Sequence, residues 1–150
     1  DDESFATPKN MPEKICTYCE KTGQGKPESD GAMIRCIYES LALKYRYAIE
    51  QLSAVTGRAF TTLHVLGGGT KDRLLCQMTA DCCGLTVKAG PVEATALGNI
   101  MIQLKALGLL DSITQGRRLI AETEVIKTYT PSTQNYAEWN AAYDRFKTLL

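Results

Sequence analysis

Leu63-His64-Val65-Leu66-Gly67-Gly68-Gly69-Thr70-Lys71-Asp72-Arg73-Leu74-Leu75 is the stretch whose reading decides the fold. From Thr61 to Leu66 it is aliphatic and β-branched, which predicts a buried strand. The strand runs straight into three glycines. A helical period follows, with Leu74, Leu75, Met78 and Cys82 on one face and a stop at Gly84. A strand that ends in glycines and opens a helix is the βα corner of a layered α/β domain.

Outward from that corner the alternation continues. Leu85 to Lys88 reads as a second short strand, broken by Gly90-Pro91. A helix follows over roughly Glu93 to Leu107 and closes at Gly108. Upstream, Ser29 or Asp30 caps a long helix that ends at Gly57. Its apolar residues, Ile34, Ile37, Tyr38, Leu41, Tyr45, Ala48, Ile49, Leu52 and Val55, step by three and four. Before it, Asn10 to Gly23 predicts a short helix with Pro12 in its first turn, preceded by a tail over 1–9. Downstream come a short helix near Ile113 to Ala121, a strand at Glu124 to Thr128, and a final helix. Tyr136, Trp139, Tyr143, Phe146 and Leu150 form a packing stripe on that last helix. The order predicts a helix-rich α/β layer with a small, mainly parallel sheet. Two or three strands leave edges that need cover, so further strands are expected elsewhere in a parent protein.

Composition narrows the function. Seventeen Lys and Arg balance seventeen Asp and Glu over 150 residues, which argues against nucleic-acid or acidic-membrane partners. Hydrophobic residues make up 44% and charged residues 23%, the mix of a folded domain. No apolar run approaches the ~20 residues of a membrane span. The start, Asp1-Asp2-Glu3-Ser4, is acidic and lacks a Met, so it reads as a cut, processed or engineered end and not as a signal peptide. A cytoplasmic location with reduced thiols is the expectation. Six cysteines on long amphipathic segments do not suit a disulfide scaffold. Cys16 and Cys19 form a C-x-x-C without a matching second pair, which is poor zinc spacing. Cys19 and Cys36 flank the first turn and would face each other in an antiparallel helix pair; otherwise the cysteines are small buried side chains.

The triple glycine is the sharpest chemical signal. Glycines there let the backbone approach a ligand, and a helix start offers amide hydrogens and positive dipole to a nucleotide. Ligands in open α/β sheets sit beyond the carboxyl ends of strands. The pattern is neither a Walker A loop nor a dinucleotide fingerprint, since Asp72 stands at the third glycine position. A tight turn without a ligand is the other reading. His64 is expected to be a partly buried strand imidazole without a catalytic partner. Asp81 and Glu93, near helix boundaries, suit capping and helix-end electrostatics, and Glu122 and Glu124 suit a solvated face. No catalytic residue and no metal ligand is assigned in this chain.

The glycine segment resembles the FGGY family of carbohydrate kinases. Ala80-Asp81-Cys82-Cys83-Gly84 and Ala89-Gly90-Pro91-Val92-Glu93-Ala94-Thr95-Ala96-Leu97-Gly98-Asn99 narrow the resemblance to its rhamnulokinase branch. Met11-Pro12, Tyr18-Cys19, Thr22-Gly23-Gln24 and Arg35-Cys36-Ile37-Tyr38-Glu39-Ser40-Leu41-Ala42 agree with it. The resemblance implies a two-lobed enzyme of the actin and hexokinase superfamily with ribonuclease-H-like lobes. It implies transfer of the γ-phosphoryl of MgATP to a ketose, L-rhamnulose for this branch. Residues 1–150 would be the C-terminal part of the second, nucleotide-binding lobe. The sugar pocket and the catalytic Asp have no counterpart here, and Mg would enter with the nucleotide and the other lobe. Gly67, Gly68, Gly69 and Thr70 would line the nucleotide. Asp72, where the family often has an adenine-contacting Asn, would also bind the nucleotide, still accepting from the exocyclic amine but offering no donor to a ring nitrogen. Asp81 and Glu93 would hold the loop and the next helix. The isolated chain is expected to lack kinase activity and to self-associate through its open sheet edge. Two other classes compete: a non-catalytic nucleotide-binding or regulatory module, and a thiol-based redox or metal protein.

Overall fold

The computed structural model describes residues 2–150. A 3-10 turn at Glu3–Phe5 sets the Phe5 ring 5.2 Å from that of Tyr18. Helix α1 spans Met11–Lys21 and α2 spans Asp30–Thr56. Strand β1 (Thr62–Val65) leads to a 3-10 turn (Gly67–Lys71) and α3 (Arg73–Cys83). Strand β2 (Thr86–Ala89), α4 (Ala94–Ala106), α5 (Ile113–Thr123), β3 (Lys127–Tyr129) and α6 (Tyr136–Lys147) follow. The boundaries track the sequence signals. Ser29 Oγ accepts from the Ala32 amide and caps α2, and Gly57 and Gly84 stop α2 and α3 in left-handed geometry.

The sheet has three strands in the order β1-β2-β3. β1 and β2 are parallel, with His64 opposite Lys88; β2 and β3 are antiparallel, with Lys88 opposite Thr128. The sheet is therefore mixed, and β3 begins at Lys127 rather than Glu124.

Helix α3 is the centre of the molecule because it buries two faces. Cys76 and Ala80, one turn apart, pack with Val87 and Ala89 of β2. Cys82 joins Ala42 and Leu43 of α2 and Trp139 and Tyr143 of α6, with Met78 against them. Small residues on both faces let a sheet and two helices approach one rod. The single α3 face of the sequence reading is corrected here: Leu74 is exposed, while Cys76, Thr79 and Ala80 are buried.

The α2 stripe is also corrected. Its helical period is right, but Ile34, Ile37, Leu41, Tyr45, Leu52 and Val55 are all exposed, Leu52 by 50%. Ala42 and Leu43 carry the core instead. On α6, Trp139 and Tyr143 are buried and Phe146 half-buried, whereas Tyr136 and Leu150 are exposed. Cys19, Cys76 and Cys82 are buried free thiols, as expected of small core side chains. Cys19 and Cys36 are both free, and burial first, followed by the neighbouring Cys36, pushes the Cys19 thiol up to about 11. No helix among the described residues is long and apolar enough to cross a membrane.

Candidate nucleotide site

Parallel pairing puts the carboxyl ends of β1 and β2 side by side. After β1 the backbone enters Gly67 at φ +77°, a conformation that glycine alone takes without strain. The chain then winds a 3-10 turn rather than opening α3 at once, which revises the sequence reading. The corner after β2 closes against this turn. Gly67 N donates to Pro91 O at 3.3 Å, and Gly90 N donates to Val65 O at 2.9 Å. Two βα corners thus form one surface.

Thr70 is buried, and its hydroxyl donates to Gly67 O at 2.7 Å. It closes the turn from within. Asp72 ends the turn and starts the helix. Its amide donates to Gly69 O at 3.2 Å, and its Oδ1 accepts from Leu75 N at 3.0 Å as the cap of α3. Its Oδ2 accepts from the Tyr38 hydroxyl. The Leu75 amide first, and Tyr38 second, hold the Asp72 carboxyl below its ordinary value. Tyr38 moves the other way, up, because Asp72 stabilises its neutral phenol. The first turn of α3 is thus capped by the Asp72 side chain.

The three glycines differ. Gly67 is required by its φ. Gly68 is exposed, lies outside the left-handed region, and an added Cβ would meet nothing within 4 Å. A Cβ at Gly69 would make an ordinary 3.7 Å contact with Val65. Folding of the chain accounts for the first glycine only.

The other candidates fall elsewhere. His64 is exposed on β1, not partly buried as expected. Asp81 lies in the last turns of α3, accepts from Gln77 Nε2 and from Ser132 N at 2.8 Å each, and so holds the loop after β3. Glu93 sits at the start of α4 without a capping hydrogen bond. Tyr38, 34 residues from Asp72, stands in the sequence as one more apolar residue of the α2 stripe. A phenol in line with aliphatic side chains is indistinguishable from core in one dimension. An apolar hollow of about 340 Å³ lies between Tyr45 and Ile49 of α2 and Leu63 and Val65 of β1, with Gly69 at its rim. A larger groove, about 580 Å³, is lined by Arg46, Arg58, Phe60 and Cys83. It lies at the opposite, amino ends of the strands, the wrong end for a ligand of a parallel sheet.

Residues 1–107 match the model of the C-terminal domain of the FGGY family of carbohydrate kinases. A rhamnulokinase of Bacteroides thetaiotaomicron is 48% identical over 150 residues, all of this chain and 30% of that protein. Rhamnulokinases of Enterobacter sp. and Klebsiella pneumoniae subsp. pneumoniae are 40% and 42% identical over 96% and 87% of this chain and 30% and 27% of theirs. The fold is shared with the crystal structure of a xylulose kinase from Rhodospirillum rubrum, at a TM-score of 0.63 and 22% identity, over 85% of this chain and 25% of that one. The chain thus spans about 30% of the length of the curated relatives it matches. With the glycine corner, the Gly90-Pro91 corner and α3 between them all inside the matched segment, the chain belongs to the FGGY family of carbohydrate kinases.

Proposed function

We propose that this chain is the nucleotide side of an ATP-dependent sugar kinase, with a ketose of the L-rhamnulose type as phosphoryl acceptor. The observation that carries the reading is Gly68. No backbone angle and no neighbouring atom demands a glycine there, yet it stands exposed at the carboxyl ends of two parallel strands. Absence of a side chain at an exposed position leaves room for a ligand to touch the backbone. Gly67 and Gly69 shape the cradle, Thr70 closes it and Asp72 fixes its end. Kinship with rhamnulokinases supports the choice of acceptor.

Phosphoryl transfer is mostly positioning and charge stabilisation on both sides of an in-line reaction. This chain supplies the turn that holds the nucleotide. Magnesium would arrive with the nucleotide phosphates, where it neutralises charge. The acceptor and its base belong to the part of the enzyme that relatives have beyond this chain.

Calorimetry tests the reading. The chain should bind ATP, and Gly68→Val should weaken binding by about tenfold or more while leaving the unfolding midpoint unchanged, because its side chain enters empty space. The 150-residue chain alone should not phosphorylate L-rhamnulose. No heat with ATP would point to a module that keeps the turn for another purpose, and turnover by the chain alone would refute the two-sided reading.

The exposed α2 stripe, the apolar hollow beside it and the free edge of β1 support a second element of the proposal. Isolated copies should pair with one another. Sedimentation at increasing concentration should show mass above that of one chain; a strict monomer throughout would count against it.

A further inference from the structure

We propose that Tyr38 is a positioning residue of the nucleotide site, pinning the glycine turn to α2 through Asp72 without touching the ligand. The inference rests on the nucleotide reading above and extends it to a residue on another element.

A turn with three successive glycines has little stiffness of its own. Most of its ties are local. Thr70 bonds Gly67, Asp72 N bonds Gly69, and Leu75 N and Cys76 N bond Asp72, all within four residues. Such bonds keep the turn in shape but travel with it as a unit. Gly67 N to Pro91 O fixes its front to the neighbouring corner. Its rear, where the turn becomes α3, is fixed by the hydrogen bond from Tyr38 to Asp72.

Tyr38 is placed to do this because α2 is itself anchored. Two turns further along, Arg46 donates to Asn140 Oδ1 at 2.8 Å and to Cys82 O at 3.3 Å, and stacks 4.2 Å over the Tyr143 ring. The helix is a beam fastened to α3 and α6 at Arg46 and to the glycine turn at Tyr38. Holding a cradle in its binding geometry before the ligand arrives removes an ordering cost from binding. The same bond assigns Asp72 its role. Each carboxylate oxygen accepts one hydrogen bond, from Leu75 N on one side and Tyr38 on the other, so Asp72 fixes the turn.

The test is steady-state kinetics of the full-length enzyme that carries this chain. Tyr38→Phe keeps the ring and removes only the donor. The KM for ATP should rise about five- to tenfold, with kcat and the KM for the sugar within about twofold. Asp72→Ala should raise the KM for ATP at least as much. In the Asp72→Ala background, Tyr38→Phe should add less than about twofold, because the two side chains act as one unit. A Tyr38→Phe enzyme with a lower melting temperature and an unchanged KM for ATP would overturn the positioning role, as would additive effects in the double variant. Failure of the unaltered enzyme to bind ATP would instead overturn the nucleotide reading and take this inference with it.

Discussion

Gly90→Ala should cost about 3 kcal/mol of stability, the largest backbone effect expected in this chain. Gly90 is buried and adopts φ +134°, a region that L side chains rarely enter. An added Cβ would lie 2.8 Å from the Val125 carbonyl oxygen and 3.3 Å from the Ile126 Cα. Both are backbone atoms of the segment that leads into β3, so no side chain can swing aside. Relief requires β3 to move off β2 or the Gly90 corner to move off Val65. The second movement would also break the bond that sets the two βα corners side by side. Urea unfolding should show a lower midpoint at unchanged slope. Gly68→Ala, at an exposed position with ordinary φ and free space, is the matched control and should cost nothing. A loss below about 1 kcal/mol for Gly90→Ala would mean that the segment before β3 yields freely.

Trp139→Ala should cost a further class of stability, about 3 kcal/mol, by opening the core shared by α2, α3 and α6. Trp139 is 9% exposed and packs with Ala42, Leu43, Cys82 and Tyr143. The helix that carries it lies outside the segment matched by the family model, yet its contacts reach the middle of the molecule. Polar ties reinforce the docking. Tyr143 donates to Glu50 Oε2 at 2.6 Å, and Arg46 bridges Asn140 and the Cys82 carbonyl. Burial first, and then Glu50, pushes the Tyr143 phenol up, so it stays a donor well beyond neutral pH. Loss of the tryptophan should also free the end of the chain, seen as faster amide exchange along α6. Exchange in α6 as slow as in the parent would show that the polar ties suffice.

The helices and their ends were legible one residue at a time. Ser29, Gly57 and Gly84 act where they stand, because caps and stops depend on the nearest three or four residues. The α/β layering was legible for a similar reason, since periods of two and of 3.6 are local. Which face of a helix becomes core was not. The α2 stripe has a faultless period and is mostly exposed, while Ala42 and Leu43 are buried, because burial requires a partner and periodicity does not name one. The two-faced burial of α3 was hidden by its small residues, which score as weakly apolar but fit between a sheet and two helices.

By itself, the order of residues determined that a strand ends just before the glycines, that the backbone turns on them, and that a helix begins within a few residues. Those outcomes follow from bond rotations and hydrogen bonds that close inside one turn. Tertiary structure decided that the corner after β2 would close against the glycine turn, that Asp72 would be held from α2, and that Gly68 would stand open. Each of these joins groups tens of residues apart, and only the packing of α2, α3 and the sheet brings them within hydrogen-bonding distance.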